Sequence, residues 1–146
     1  MNSAFASSWQ FWAVLSAIFA ALTAIFAKVG VEDVPADLAT FIRTVIILAL
    51  LGLILLASGE WRVPGAISSK TYLFLLLSGL ATGASWLCYF RALKIGEAAK
   101  VAPIDKLSVV LVAIFGVIFL GEKLSALAWL GVVLVGTGAV VIAFAG

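Results

Sequence analysis

Histidine is absent from this 146-residue sequence and cysteine occurs once, at Cys88. A transition-metal centre needs a set of imidazole, thiolate or carboxylate ligands, so these two shortages argue against one, and no cofactor is implied. A lone thiol also rules out an internal disulfide, and because Cys88 lies within an apolar run it reads as a small buried hydrophobe. Charge is scarce as well: Lys and Arg number 9 and Asp and Glu 7, together 11% of the chain, for a net charge of +2. The basic residues form no tract, so nothing points to nucleic acid.

What replaces charge is apolar bulk. Hydrophobic residues make up 65% of the sequence, against roughly half in an ordinary soluble domain, where about a quarter of residues are charged. They fall into five runs, each near the roughly 20 residues that cross a hydrocarbon core of about 30 Å. The expected helices are 9–28, 35–57, 71–91, 98–120 and 124–145, within one domain, 1–146. The first run has no basic residue before it and is too long for a signal peptide, so it reads as a retained helix. The turns are short except for 59–70, GEWRVPGAISSK, where Trp61 and Arg62 suit the headgroup layer and Ser68 or Ser69 can cap the third helix. Short turns force antiparallel neighbours. The expected fold is therefore all-α: a polytopic bundle of five transmembrane helices, multi-pass in the bilayer.

An odd number of spans puts the two ends of the bundle on opposite faces. Sorting the connections by side gives Arg62, Lys70 and Lys123 on one face and Lys28, Arg91, Lys94 and Lys100 on the other. The positive-inside rule reads such counts, and here the bias is weak. Two readings stand side by side: insertion in both orientations, which permits an antiparallel homodimer of ten helices, or one orientation decided by the cluster from Arg91 to Lys100.

Span length also forces charge into the bilayer. The apolar stretch Leu107–Leu120, LSVVLVAIFGVIFL, is too short to cross. Extending the helix back to Ala98 places Pro103 in its early turns and brings Asp105 and Lys106 inside. Thr44–Ala57 is likewise too short and must extend back through Arg43 to Pro35. Both helices enter from one face, so Arg43 and Asp105 are expected at similar depth, within reach of an ion pair. Ionisable residues inside a membrane usually face a bundle interior or a watery cavity and carry function; the alternative is a purely structural pair, with Lys106 snorkelling to the surface. Helical spacing puts Asp105 on a face with Ala98, Ala102, Ser108, Val112 and Gly116, and turns Lys106 about 100° away, so it need not be the partner of Asp105.

The third helix repeats Gly79, Thr82, Gly83, Trp86 and Tyr89 or Phe90 on one face. Trp86 reads either as an interfacial anchor or as the wall of a cavity in which an organic solute stacks. Together with Arg43, Asp105, Lys106 and Ser108, Thr82 and Trp86 complete the candidate substrate or ion pathway. On the first helix Ser16, Ala20, Thr23 and Ala27 form a small, weakly polar packing face. The fifth helix is uncharged and rich in small residues, and Gly131, Gly136 and Ala139 are the expected dimer seam.

Over RALKIGEAAKVAPIDKLSVVLVAIFGVIFLGEKLSALAWLGVVLVGTGAVVIA, Arg91 to Ala143, the sequence resembles the carboxyl-terminal portion of an EamA-type domain of the drug/metabolite transporter superfamily. The resemblance rests on the order of features: an aromatic and Ala-Leu closing the third helix, a small-residue start with Ala-Pro to the fourth, the Leu120-Gly121-Glu122 turn and a glycine-rich fifth helix. Trp12 and Lys28 flanking the first helix are compatible with it. Most members of that family carry two five-helix repeats in opposite orientations, whereas this chain has one and resembles the single-repeat bacterial and archaeal members. The resemblance implies half of a ten-helix inverted-repeat transporter, completed by self-association, in a prokaryotic inner membrane, with a small molecule held near the midplane between repeats. The four-helix multidrug members of the superfamily use an acidic residue in the first helix. Trp9–Ala27 contains none, which leaves Asp105 as the intramembrane carboxylate available for proton coupling.

Two function classes follow. In the first, the chain is a secondary transporter or exporter of a small metabolite, amphipathic cation or amino-acid-like solute, working by alternating access as a homodimer. In the second, it is a non-transporting membrane subunit, or a half-transporter that pairs with a different chain. An enzyme is not expected, because no nucleophile–base pair or metal cluster is visible.

Overall fold

The computed structural model describes residues 8–61 and 67–145. Arg62, named above as a headgroup residue and as a topology charge, and Gly146 lie outside them. The described residues are all helical or turn, with no strand: α1 Trp9–Gly30, α2 Ala36–Ser58, α3 Ser69–Ile95, α4 Ala98–Asp105, α5 Ser108–Leu120 and α6 Ala126–Phe144. With α4 and α5 counted as one span, Ala98–Leu120, five helices are long and apolar enough to cross a membrane.

Local chemistry sets the helix ends. Pro35, which has no N–H to donate but whose carbonyl accepts from the Ala39 amide at 3.0 Å, stands just before α2, and Asp37 occupies its first turn, where the helix dipole favours an anion. Gly59, at φ 71°, ends α2 in the left-handed conformation that glycine takes without penalty. Ser68 starts α3 by accepting the Thr71 amide N–H at 3.1 Å, and Ser125 starts α6 by accepting the Ala128 amide N–H at 3.2 Å. α3 runs on to Ile95, so Arg91 and Lys94 belong to the helix and the turn to α4 shrinks to Gly96 and Glu97.

The fourth span is not the continuous helix that its length suggested. Lys106 and Leu107 interrupt it, and the bonds across the break tighten from the i−4 to the i−3 pattern: Leu107 to Ile104, Val109 to Lys106 and Val110 to Leu107, all at 3.0 Å. Pro103, inside α4, has no N–H to return to the preceding turn. The shared face drawn from Asp105 through Ser108, Val112 and Gly116 assumed an unbroken helix and does not carry across this junction.

Two compact units divide the chain: α1 to Lys28 with everything from Ile95 onward, and Val29–Lys94. In the first, α6 packs on both α4 and α5, with Ala24, Ala27, Gly116 and Ala139 buried. These are small residues, which let helix backbones approach where lipid offers no hydrophobic drive to association. In the second, Val31, Ala39, Thr40, Phe90 and Leu93 are buried, all near the turn before α2 and the end of α3. Elsewhere the helices present large apolar side chains outward, Leu48, Leu53, Leu80, Phe119 and Leu134 among them. Such a surface is compatible with lipid and not with water. Cys88 is exposed on α3, so it is an outward-facing hydrophobe and not the buried one expected.

Candidate functional site

Most of the described charges within the Val29–Lys94 unit cluster where α2 begins and α3 ends, with Glu60 and Lys70 at the other end. Arg91 grips the Asp37 carboxylate with both edges of its fork, Nε donating to Oδ1 at 3.0 Å and Nη2 to Oδ2 at 2.8 Å, the bidentate geometry that guanidinium and carboxylate share. Lys94 Nζ donates to backbone carbonyls of the turn before α2, Val34 at 2.6 Å, Val31 at 2.9 Å and Glu32 at 3.4 Å. Two of the unit's cations thus have oxygen partners.

Arg43 is bound differently. Its guanidinium carbon lies over the Trp86 ring at 4.1 Å from the centroid and over the Phe90 ring at 5.5 Å. Counting 1.5 Å per residue, Arg43 is about 10 Å from the start of α2 and Trp86 about 14 Å from the end of α3, so the two meet partway along their helices. Trp86 is half-buried beneath this cation. Inserting an arginine at the centre of a membrane helix costs about 3 kcal/mol on insertion scales, and less nearer its end, while a desolvated cation–π contact returns about 2 kcal/mol or more. The rings offset much of the charge, but they occupy none of the five N–H donors of the guanidinium. The neighbouring Thr40 and Thr44 hydroxyls donate to the Ala36 and Thr40 carbonyls of their own helix, each at 2.8 Å. Thr82, exposed one turn before Trp86, likewise donates to the Ser78 carbonyl at 2.8 Å.

In the other unit, charge gathers at the break in the fourth span. Lys106 Nζ donates to Asp105 Oδ2 at 3.0 Å, so Lys106 is the partner of Asp105 after all. The 100° separation of neighbours holds only on a continuing helix, and the helix ends between them. The pair sits in the tightened junction between α4 and α5, where the backbone stays in the right-handed helical region at Lys106 and Leu107. Ser108 opens α5 and is exposed. Each member of the expected Arg43–Asp105 pair thus has a contact within its own unit, Arg43 on two rings and Asp105 on the Lys106 ammonium. Elsewhere in this unit Lys28 Nζ donates to the Gly96 carbonyl at 3.0 Å.

The expected seam residues divide. A Cβ on Gly136 would approach Val110 Cγ2 of α5 at 3.1 Å, and Ala139 is only 5% exposed; both are turned into their own chain. Gly131 is exposed and has open space around it. Among the described residues no group of three His, Cys, Asp or Glu could hold a metal ion.

Sequence reading missed the Asp37–Arg91 fork, although both residues lie within about one turn of helix ends on the same face, and the depth arithmetic applied to Arg43 would have found it. The Lys94 contacts had no signal to find, because backbone carbonyls leave no trace in residue identity.

Comparison with known proteins agrees with this architecture. The profile of the EamA-like transporter family matches residues 7–144. The chain is similar to a Sinorhizobium sp. protein named "Uncharacterized transporter in cobO 3'region", at 64% identity over 136 residues, covering 93% of this chain and 96% of that one. No solved structure matches.

Proposed function

The chain belongs to the EamA-like transporter family, and from that premise we propose that it carries a small metabolite or amphipathic solute across a prokaryotic inner membrane by alternating access, as an antiparallel homodimer. The observation that carries the mechanism is the interruption of the fourth span beside the Asp105–Lys106 pair. Broken membrane helices supply ion and substrate sites in transporters, and here the junction carries the Asp105–Lys106 pair while its amides stay bonded in a tightened pattern. A tightened, proline-bearing junction is also a place where one half of a span can tilt against the other. A single five-helix repeat is half of an inverted-repeat transporter, and a second copy inserted the other way up supplies the other half. The weak charge bias between the faces supports both orientations, and the bacterial relative supports the inner membrane.

The test is counterflow in proteoliposomes loaded with a panel of small metabolites, with Asp105→Asn as the comparison. Saturable exchange that Asp105→Asn abolishes while particle size is retained supports the proposal. Absence of exchange for every solute, from a chain that is folded and dimeric, would make the protein a non-transporting subunit instead.

A further inference from the structure

We infer that Arg43, held on the faces of Trp86 and Phe90, is the anchor for a carboxylate, and that the solute this chain handles is an organic carboxylate; the inference rests on the transporter reading above. It starts from an inequality among the cations of one unit. Arg91 has the Asp37 carboxylate and Lys94 has three backbone carbonyls, whereas among the described residues of that unit Arg43 lies on two aromatic faces with Tyr89 nearby and donates no described hydrogen bond. A π face balances charge but accepts no strong hydrogen bond, so the planar fork of donors remains open to a ligand.

The geometry also argues about ligand type. A guanidinium fork matches the two oxygens of a carboxylate, as the Asp37–Arg91 pair shows in the same unit. The rings that fix Arg43 would serve an organic cation badly, since the Trp86 face is already occupied by one and a second cation would be repelled. Solute cations are therefore excluded here by the same contact that positions the arginine. Phe90 is buried, at 2% exposure, and acts as the floor that holds Arg43 in place and not as a stacking surface for the ligand.

Equilibrium dialysis of labelled benzoate against the purified full chain in a maltoside detergent, which contributes no lipid phosphate, tests this. Benzamide and benzylammonium serve as neutral and cationic competitors of the same shape. The expected result is saturable benzoate binding, weakened at least tenfold by Arg43→Gln and less by Arg43→Lys, with neither competitor displacing it at equal concentration. Arg43→Lys retains the charge and guards against a folding failure in the Gln variant. Equal binding by wild type and Arg43→Gln, displacement by benzylammonium, or no saturable binding of benzoate or acetate overturns the inference. Counterflow separates it from the transport reading. Exchange of benzylammonium or benzamide that Arg43→Gln leaves unchanged removes the carboxylate assignment and keeps transport, whereas Arg43-dependent benzoate binding without any flux keeps the assignment and removes transport.

Discussion

Glu122 folds back over Gly116: a Cβ on Gly116 would lie 2.6 Å from Glu122 Oε2, while the Glu122 amide N–H donates to the Gly116 carbonyl at 3.1 Å. The turn after α5 is thereby tied to the helix it leaves, with Gly121 at φ 68° making the reversal. The obstructing atom is the far end of an exposed, flexible side chain, and Ala is preferred over Gly in a helix by roughly 0.5–1 kcal/mol. Gly116→Ala should therefore be close to neutral in thermal unfolding of the solubilised protein. Gly116→Leu cannot be accommodated by moving Glu122 alone and should lower Tm clearly.

Gly136 and Gly131 should separate packing within the chain from packing between chains. Gly136 faces the branched side chain of Val110 at 3.1 Å, which cannot swing away, so Gly136→Leu should overpack α5 against α6 and cost about 1–3 kcal/mol. Gly131 has open space around its α-carbon. Gly131→Leu should leave Tm almost unchanged while reducing the dimer fraction seen by light scattering in detergent. A dimer unaffected by Gly131→Leu would move the seam off α6.

Topology follows from charge. Arg91 and Lys94 lie inside α3, yet both still carry their charge at the end of that span and still count toward its face. Reporters fused after Gly146 are expected to give signal on both sides of the membrane in comparable amounts, and two added Lys residues within 59–70 should collect the population into one orientation. Labelling from one side only in the unmodified chain would end the antiparallel dimer.

The five spans were legible in the sequence because length and apolarity alone decide whether a segment can cross a bilayer. The places of Arg43, Asp105 and Lys106 along their spans likewise follow from counting residues back from the apolar stretches. The break at Lys106 was not legible, since a proline three residues earlier is tolerated in many membrane helices and the residues on either side read as one span. Trp86 was noticed and Arg43 was noticed, but on different helices; only the fold shows one lying on the other. Glycine in a membrane helix says that something comes close, and Gly136 is approached by Val110 of its own chain before any second chain is considered.

The last prediction concerns Asp105 and Lys106, whose 3.0 Å contact closes the end of α4. Their side chains are 34% and 54% exposed respectively, so the contact itself is worth little, about 1 kcal/mol or less. Asp105→Asn and Lys106→Gln each remove this partly exposed contact, and each should lower Tm only slightly. A charge-balancing pair and a coupling residue then diverge in the double variant. If Asp105 only neutralises Lys106, Asp105→Asn with Lys106→Gln restores both stability and flux. If Asp105 takes up and releases the coupling proton, flux and its pH dependence are lost in Asp105→Asn despite a near-native Tm, and the double variant recovers nothing. Arg43→Leu with Asp105→Leu completes the set: stability recovered by that pair, and by no pairing with Lys106, would assign the carboxylate to Arg43. Counterflow and thermal unfolding measured on the same preparations decide among the three, and full flux through Asp105→Asn removes this carboxylate from the transport mechanism.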